Sequence, residues 1–166
     1  MVELDKPIPT QKVRHVGIFD FKETYRFCYM WFLNEQYDIV EKNYTEKITP
    51  RGKEIEIEWD AVRKISDYFR FQIQTKWRVV GLNDVEVEYE GKKVKMDKGD
   101  CEIRFTAVLQ KDYESRWEDT PILKWLRTLY DKYLIQARID KYEAKLVEEL
   151  NDLLAQTKAY MALSVK

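Results

Sequence analysis

The apolar positions of this chain repeat with two different periods, and the switches between them mark its elements. Residues 1–12 carry Pro7 and Pro9 and no periodicity, and they read as an extended arm. Val13 to Phe19 reads as a short first strand. Asp20 then opens a helix. With Glu23 three residues on it fits a capping box, in which the Asp carboxylate takes a first-turn amide and the Glu reaches back to the cap. Phe21, Tyr25, Cys28 and Phe32 follow at helical spacing and define its covered face. Lys22, Glu23 and Arg26 keep the opposite face polar in the first turns only. Beyond them Phe27, Met30 and Trp31 place large apolar groups where water is expected, so this helix has two apolar sides near its C-terminal end.

From Tyr37 the period falls to two. Tyr37 to Ile48 and Lys53 to Ala61 read as strands around the turn Thr49-Pro50-Arg51-Gly52. In the second, Ile55, Ile57 and Trp59 alternate with Glu54, Glu56, Glu58 and Asp60. After a break near residues 63–67, Phe69, Phe71, Ile73, Thr75, Trp77 and Val79 share one face, with Arg70, Lys76 and Arg78 on the other. A strand from Tyr68 to Val80 would be unusually long, so twist and bulges are expected, with Gly81 a candidate bulge. Val85, Val87 and Tyr89 lead to a turn at Gly91, then Val94 and Met96. A second turn at Asp97-Lys98-Gly99-Asp100 precedes the alternation of Cys101, Ile103, Phe105, Ala107 and Leu109. Such patterns predict an antiparallel sheet with one covered face and one wet face.

The C-terminal part is helical. Thr120 and Pro121 make an N-cap and first-turn pair. Ile122, Leu123, Trp125, Leu126, Leu129, Tyr130 and Tyr133 form the apolar set that follows. From about Arg138 to Leu163 a continuous stripe of Ile139, Tyr142, Leu146, Leu150, Leu153, Thr157 and Tyr160 predicts a rod roughly 39 Å long. The fold class is therefore α+β: one domain over 1–166, with the arm at 1–12, a strand-helix-sheet unit at 13–112 and C-terminal helices at 120–163. Its sheet has about five to seven long, mostly antiparallel and curved strands, covered on one face by the N-terminal helix and the two C-terminal ones. This element order resembles the helix-grip arrangement of START-like lipid- and hydrophobe-binding domains. It departs from it in having one early helical region and two late helices. The resemblance implies a curved sheet closed by a long helix, with Trp59, Phe69, Phe71, Trp77 and Phe105 as cavity lining.

Composition narrows the function more than it names one. With 45% apolar and 14% aromatic residues the chain can bury a core without disulfides or metal. Its 29 bases and 30 acids nearly cancel, which argues against a nucleic-acid coat. The longest apolar run, Phe27 to Leu33, is too short to cross a bilayer, and the N-terminal residues lack a signal-peptide pattern, so a soluble cytoplasmic protein is expected.

Few residues offer chemistry. His15 is the only histidine, which excludes a multi-histidine metal site. Cys28 and Cys101 match no metal spacing and fall among core positions. The five glycines are scattered, so no phosphate-cradling loop exists. The carboxylate row at 54–60 reads as a solvated face paired with Arg70, Lys76 and Arg78. No cofactor, metal site or catalytic set is expected. The leading functional expectation is a non-catalytic module that binds another protein or itself. Its surface would be Phe27, Met30, Trp31 and the long C-terminal helix. A carrier of a small hydrophobic molecule is the second reading. A nucleic-acid contact through the hairpin lysines Lys92, Lys93 and Lys95 is the third.

Overall fold

Period-two alternation produces six strands, and helical spacing three helices, in a computed structural model that describes residues 5–111, 120–129 and 136–163. In chain order they are β1 (Asp5–Pro7), β2 (Gln11–Phe19), α1 (Phe21–Asn34), β3 (Asp38–Thr49), β4 (Gly52–Lys64), β5 (Phe69–Tyr89), β6 (Lys92–Lys111), α2 (Pro121–Leu129) and α3 (Gln136–Leu163). The sheet is wholly antiparallel and runs β1-β6-β5-β4-β3, with β2 also paired to β6. β1 and β2 thus share one edge of β6, and the α+β fold with a curved sheet is as the alternation requires.

The described part of the expected arm is extended but not free. Asp5–Pro7 pairs with Val108–Gln110, and Ile8, 5% exposed, enters the core. Pro7 is tolerated because an edge strand can spare its amide. Residues 1–4 of that arm, and Tyr130 and Tyr133 of the second helical set, lie outside the described residues.

The strands that flank α1 in sequence, β2 and β3, sit at opposite edges of the sheet, so α1 must cross its inner face. Its start is fixed by two carboxylates. Asp20 accepts the Glu23 amide at 3.0 Å, as the capping box requires, and Asp97 of β6 accepts the Phe21 amide at 3.0 Å. Both place negative charge at the positive end of a helix. Below the helix, Phe21 meets the Trp77 ring at 6.1 Å and Tyr25 meets Trp59 at 5.0 Å. The α3 stripe closes the rest of the face: Leu146, Leu150, Leu153, Thr157 and Met161 are all at most 1% exposed. Each fully buried leucine contributes about 1.5–3 kcal/mol, which is why a long rod with weak intrinsic amphipathicity holds its place.

One point differs from the sequence pattern. Asp97–Asp100 does not turn: β6 runs unbroken for 20 residues beside a 21-residue β5. Gly99 is there for proximity, since a Cβ on it would lie 3.2 Å from the Leu82 Cα and the Val80 carbonyl oxygen. The register shift falls between Val80 and Asn83, around Gly81 at φ +66°, where the bulge was expected. Past it, Asn83–Met96 projects as a two-stranded ribbon, because β4 stops pairing at Leu82 and β2 at Asp97.

Gly52 is the second tight point. At φ +127° a Cβ would lie 2.7 to 2.8 Å from Asn83 Nδ2, the Gly81 carbonyl carbon and the Leu82 oxygen. Both the backbone region and the space are closed to a side chain. Gly52→Ala should therefore lower stability by about 2–3 kcal/mol in urea unfolding. A loss under about 0.5 kcal/mol would mean that the turn relaxes freely.

Candidate functional site

Phe27, Met30 and Trp31 do not form one exposed patch. The Phe27 ring stacks on Tyr160 of α3 with centroids 4.7 Å apart. Trp31 is 6% exposed and packs against Phe32 and Tyr37. Met30 remains exposed, with Leu33 beside it one turn on. The two-sided aromatic helix is therefore largely covered within the chain, by α3 on one side and the start of β3 on the other. The long α3 stripe is likewise spent on the sheet.

The five residues named as cavity lining are all at the inner face and at most 2% exposed. Trp59 and Trp77 pack on each other and on α1, while Phe69 and Phe71 meet Tyr142 of α3. Phe105 is fully buried, in register with Thr75 of β5 and Gln11 of β2. They form packed core where the helix-grip resemblance implies lining.

Lys92, Lys93 and Lys95 are exposed at the ribbon tip. Lys93 and Lys95 stand directly opposite Glu88 and Glu86 in register, which divides the charge instead of concentrating it. The carboxylate row behaves the same way on the outer face. Glu58 meets Lys76 at 3.8 Å, Glu56 lies opposite Arg78, and Asp60 accepts from Gln72 at 2.9 Å.

The nucleophile candidates are buried. Burial pushes the Cys28 thiol up to about 12, with Thr157 Oγ1 3.6 Å away, and the Cys101 thiol likewise to about 12. Neither supplies thiolate at neutral pH. A ring nitrogen of His15, Nε2, lies 3.0 Å from the Ile18 carbonyl oxygen, a local structural bond. Among the described residues no group of His, Cys, Asp and Glu has metal-binding geometry, and no described helix is long and apolar enough to cross a membrane.

Two features were not singled out by sequence reasoning. The first is α2. Thr120 caps it, accepting the Leu123 amide at 3.2 Å. Its apolar stripe does not pack on the sheet: Ile122 is 71%, Trp125 61% and Leu126 40% exposed. None of the described side chains of α2 joins the core.

The second is a groove of 440 Å³ between α1 and the β3–β4 end of the sheet. Phe21, Tyr25, Tyr44, Ile55 and Leu82 give it apolar walls, while Glu41, Glu46 and Asp97 bring carboxylates. Glu41 Oε2 accepts from the Tyr25 hydroxyl and, at 3.1 Å, from Trp59 Nε1. Burial first, then Glu41, raises the Tyr25 phenol above its ordinary range, so it stays a donor. Asp97 is also held above the usual carboxylate range, because burial outweighs the Phe21 amide; Asp20 and Asp84 add to the effect and Lys53 opposes it. The register contained a signal for this groove: Glu41 and Glu46 lie opposite Trp59 and Ile55, both inner-face positions. The sequence matches no known family model and no curated protein, so function has to be read from these surfaces.

Proposed function

We propose that this chain is a non-catalytic interaction module that docks onto another protein through α2. The observation that carries the reading is the exposed stripe Ile122, Trp125 and Leu126, with i, i+3, i+4 spacing on a capped helix. That spacing is the anchor pattern of a helix seated in an apolar groove. A solvent-facing tryptophan between two aliphatic residues is costly to leave wet and is the residue type that most often dominates binding energy.

The charges favour a different protein over a second copy. The segment PILKWLRTL has two bases and no acid. Pairing two such stripes across a two-fold axis would bring like charges together. An apolar groove with an acidic rim fits both the stripe and its flanks.

The test is native mass spectrometry of the protein purified from its own host, repeated with Trp125→Ala and with Ile122→Asp. Because neither side chain is in the core, circular dichroism and the unfolding midpoint should not change. A hetero-complex should appear with the unsubstituted chain and weaken at least about tenfold with either variant, since an anchoring tryptophan is worth at least about 2 kcal/mol. A chain that runs alone under these conditions, or a complex indifferent to both substitutions, would reject the reading.

A further inference from the structure

The groove between α1 and β3–β4 carries an inference independent of α2. We propose that it binds a small organic cation, an amine or quaternary ammonium attached to an apolar or aromatic body.

Its volume is in the range of small-molecule sites, and its composition has their form: mostly apolar wall with a few convergent polar groups. The walls are aromatic on two sides. Tyr25 of α1 meets Tyr44 of β3 edge-on at 6.3 Å, and Phe21 lies 6.4 Å from Tyr25. Aromatic faces carry partial negative charge and attract a desolvated cation.

The charges select the same class. The lining holds three carboxylates, Glu41, Glu46 and Asp97, against two bases, Lys22 and Lys53, and Lys53 is tied to Glu46 at 3.1 Å while also opposing the charge at Asp97. Asp20 and Asp84 add negative potential at Asp97. An anion entering the groove would meet this excess. A purely apolar guest would cover Glu41 and Asp97 and give them no partner, at a cost of several kcal/mol. An ammonium group supplies a partner to a carboxylate of the groove while its body rests on the apolar wall of Phe21, Tyr25 and Ile55.

Both carboxylates are held in place from behind. Glu41 is fixed by Tyr25 and Trp59, and Asp97 by the Phe21 amide. A half-buried carboxylate held above its usual range is a cost to the folded chain at neutral pH, and a bound cation would offset it.

The test uses three probes of one shape, phenethylamine, 2-phenylethanol and 3-phenylpropionate, each titrated into the full chain by isothermal calorimetry and amide chemical-shift mapping. Phenethylamine should bind, shifting the amides of residues 21–25, 41–46 and 53–55, and the two controls should bind at least about tenfold more weakly. Glu41→Gln and Asp97→Asn should each weaken the amine about tenfold and leave the weak binding of the alcohol unchanged. Both substitutions keep an oxygen acceptor for the existing donors, so the fold is retained, as the dispersion of the same spectra will show. If the amine fails to bind, if all three probes bind alike, or if the amine binds the folded amide variants undiminished, the proposal falls. In that last case Glu41 and Glu46 serve only to discourage pairing at the β3 edge, and Asp97 only to hold the Phe21 amide.

Discussion

Replacing Arg63 by alanine should lower stability by about 3 kcal/mol, or roughly 6–12 °C in melting temperature. The guanidinium joins three elements at once. Its Nη2 meets Glu149 of α3 at 2.7 Å, and its Nη1 donates to the Glu35 carbonyl at the end of α1 at 2.8 Å. It also lies over the rings of Tyr37 and Phe71, at 4.9 and 5.3 Å. The second oxygen of Glu149 accepts from the Tyr37 hydroxyl at 3.0 Å. The two charged side chains are only 14% and 15% exposed, so their attraction is weakly screened and their desolvation has already been met. Removing the arginine leaves a carboxylate largely out of water with one neutral donor. The residual exposure places the cost at the lower end of the range for such breaks. Removing both charges strands neither, so Arg63→Met combined with Glu149→Leu should cost only about 1 kcal/mol, less than either single change. Urea unfolding of the unsubstituted chain, Arg63→Met, Glu149→Leu and the double variant completes the cycle. A single-variant loss below about 1 kcal/mol, or a double variant worse than the sum, would show that the pair contributes little to joining these elements.

Arg63 also shows where the sequence was legible and where it was not. The inner positions of β4 run Ile55, Ile57, Trp59 and Ala61, and the same parity continues to Arg63, which pairs in register with Phe71. Alternation identified the face but not the partner, because Glu149 lies 86 residues away on a helix. Strand faces, the Asp20 cap, the Gly81 bulge and the α3 stripe were all readable, since each depends on near neighbours and a fixed period. The Asp97–Asp100 turn was misread because Gly99 is small for the sake of a close strand, and local sequence cannot distinguish that use of glycine from a turn.

The candidate surfaces divide along the same line. Phe27 and Trp31 looked surplus on a helix considered alone; Tyr160, 133 residues further on, covers one and Tyr37 the other. Ile122, Trp125 and Leu126 looked like ordinary core spacing, and only the three-dimensional arrangement leaves them outside. Periodicity reports that a face is apolar. It does not report whether the chain itself supplies the cover, so an unpartnered stripe and a buried one have the same sequence signature. The groove was harder still to foresee. Glu41 and Glu46 reach the inner face together because β3 has a register shift between Glu41 and Asn43, which carries Tyr44 and Glu46 to inner positions.

Trp59 is where core and groove meet, and its removal should be as costly as that of Arg63 for a different reason. The indole is 2% exposed and packs against Tyr25, Tyr29, Phe32 and Trp77, with ring centroids between 5.0 and 6.2 Å. Its Nε1 donates to Glu41. Trp59→Ala loses the transfer energy of a large ring and leaves a cavity under α1, at a cost of about 3–5 kcal/mol. Trp59→Phe keeps most of the packing and removes the donor, so it should cost about 1–2 kcal/mol. The phenylalanine variant also separates structure from binding. Glu41 keeps Tyr25 but loses one of its two restraints, so affinity for phenethylamine should fall severalfold while the chain stays folded. Equal losses of stability in the two variants would mean that the hydrogen bond to Glu41, and not the ring, makes Trp59 indispensable. A small loss in both would mean that α1 settles into the vacated space, and the aromatic cluster would then not be what holds the helix across the sheet.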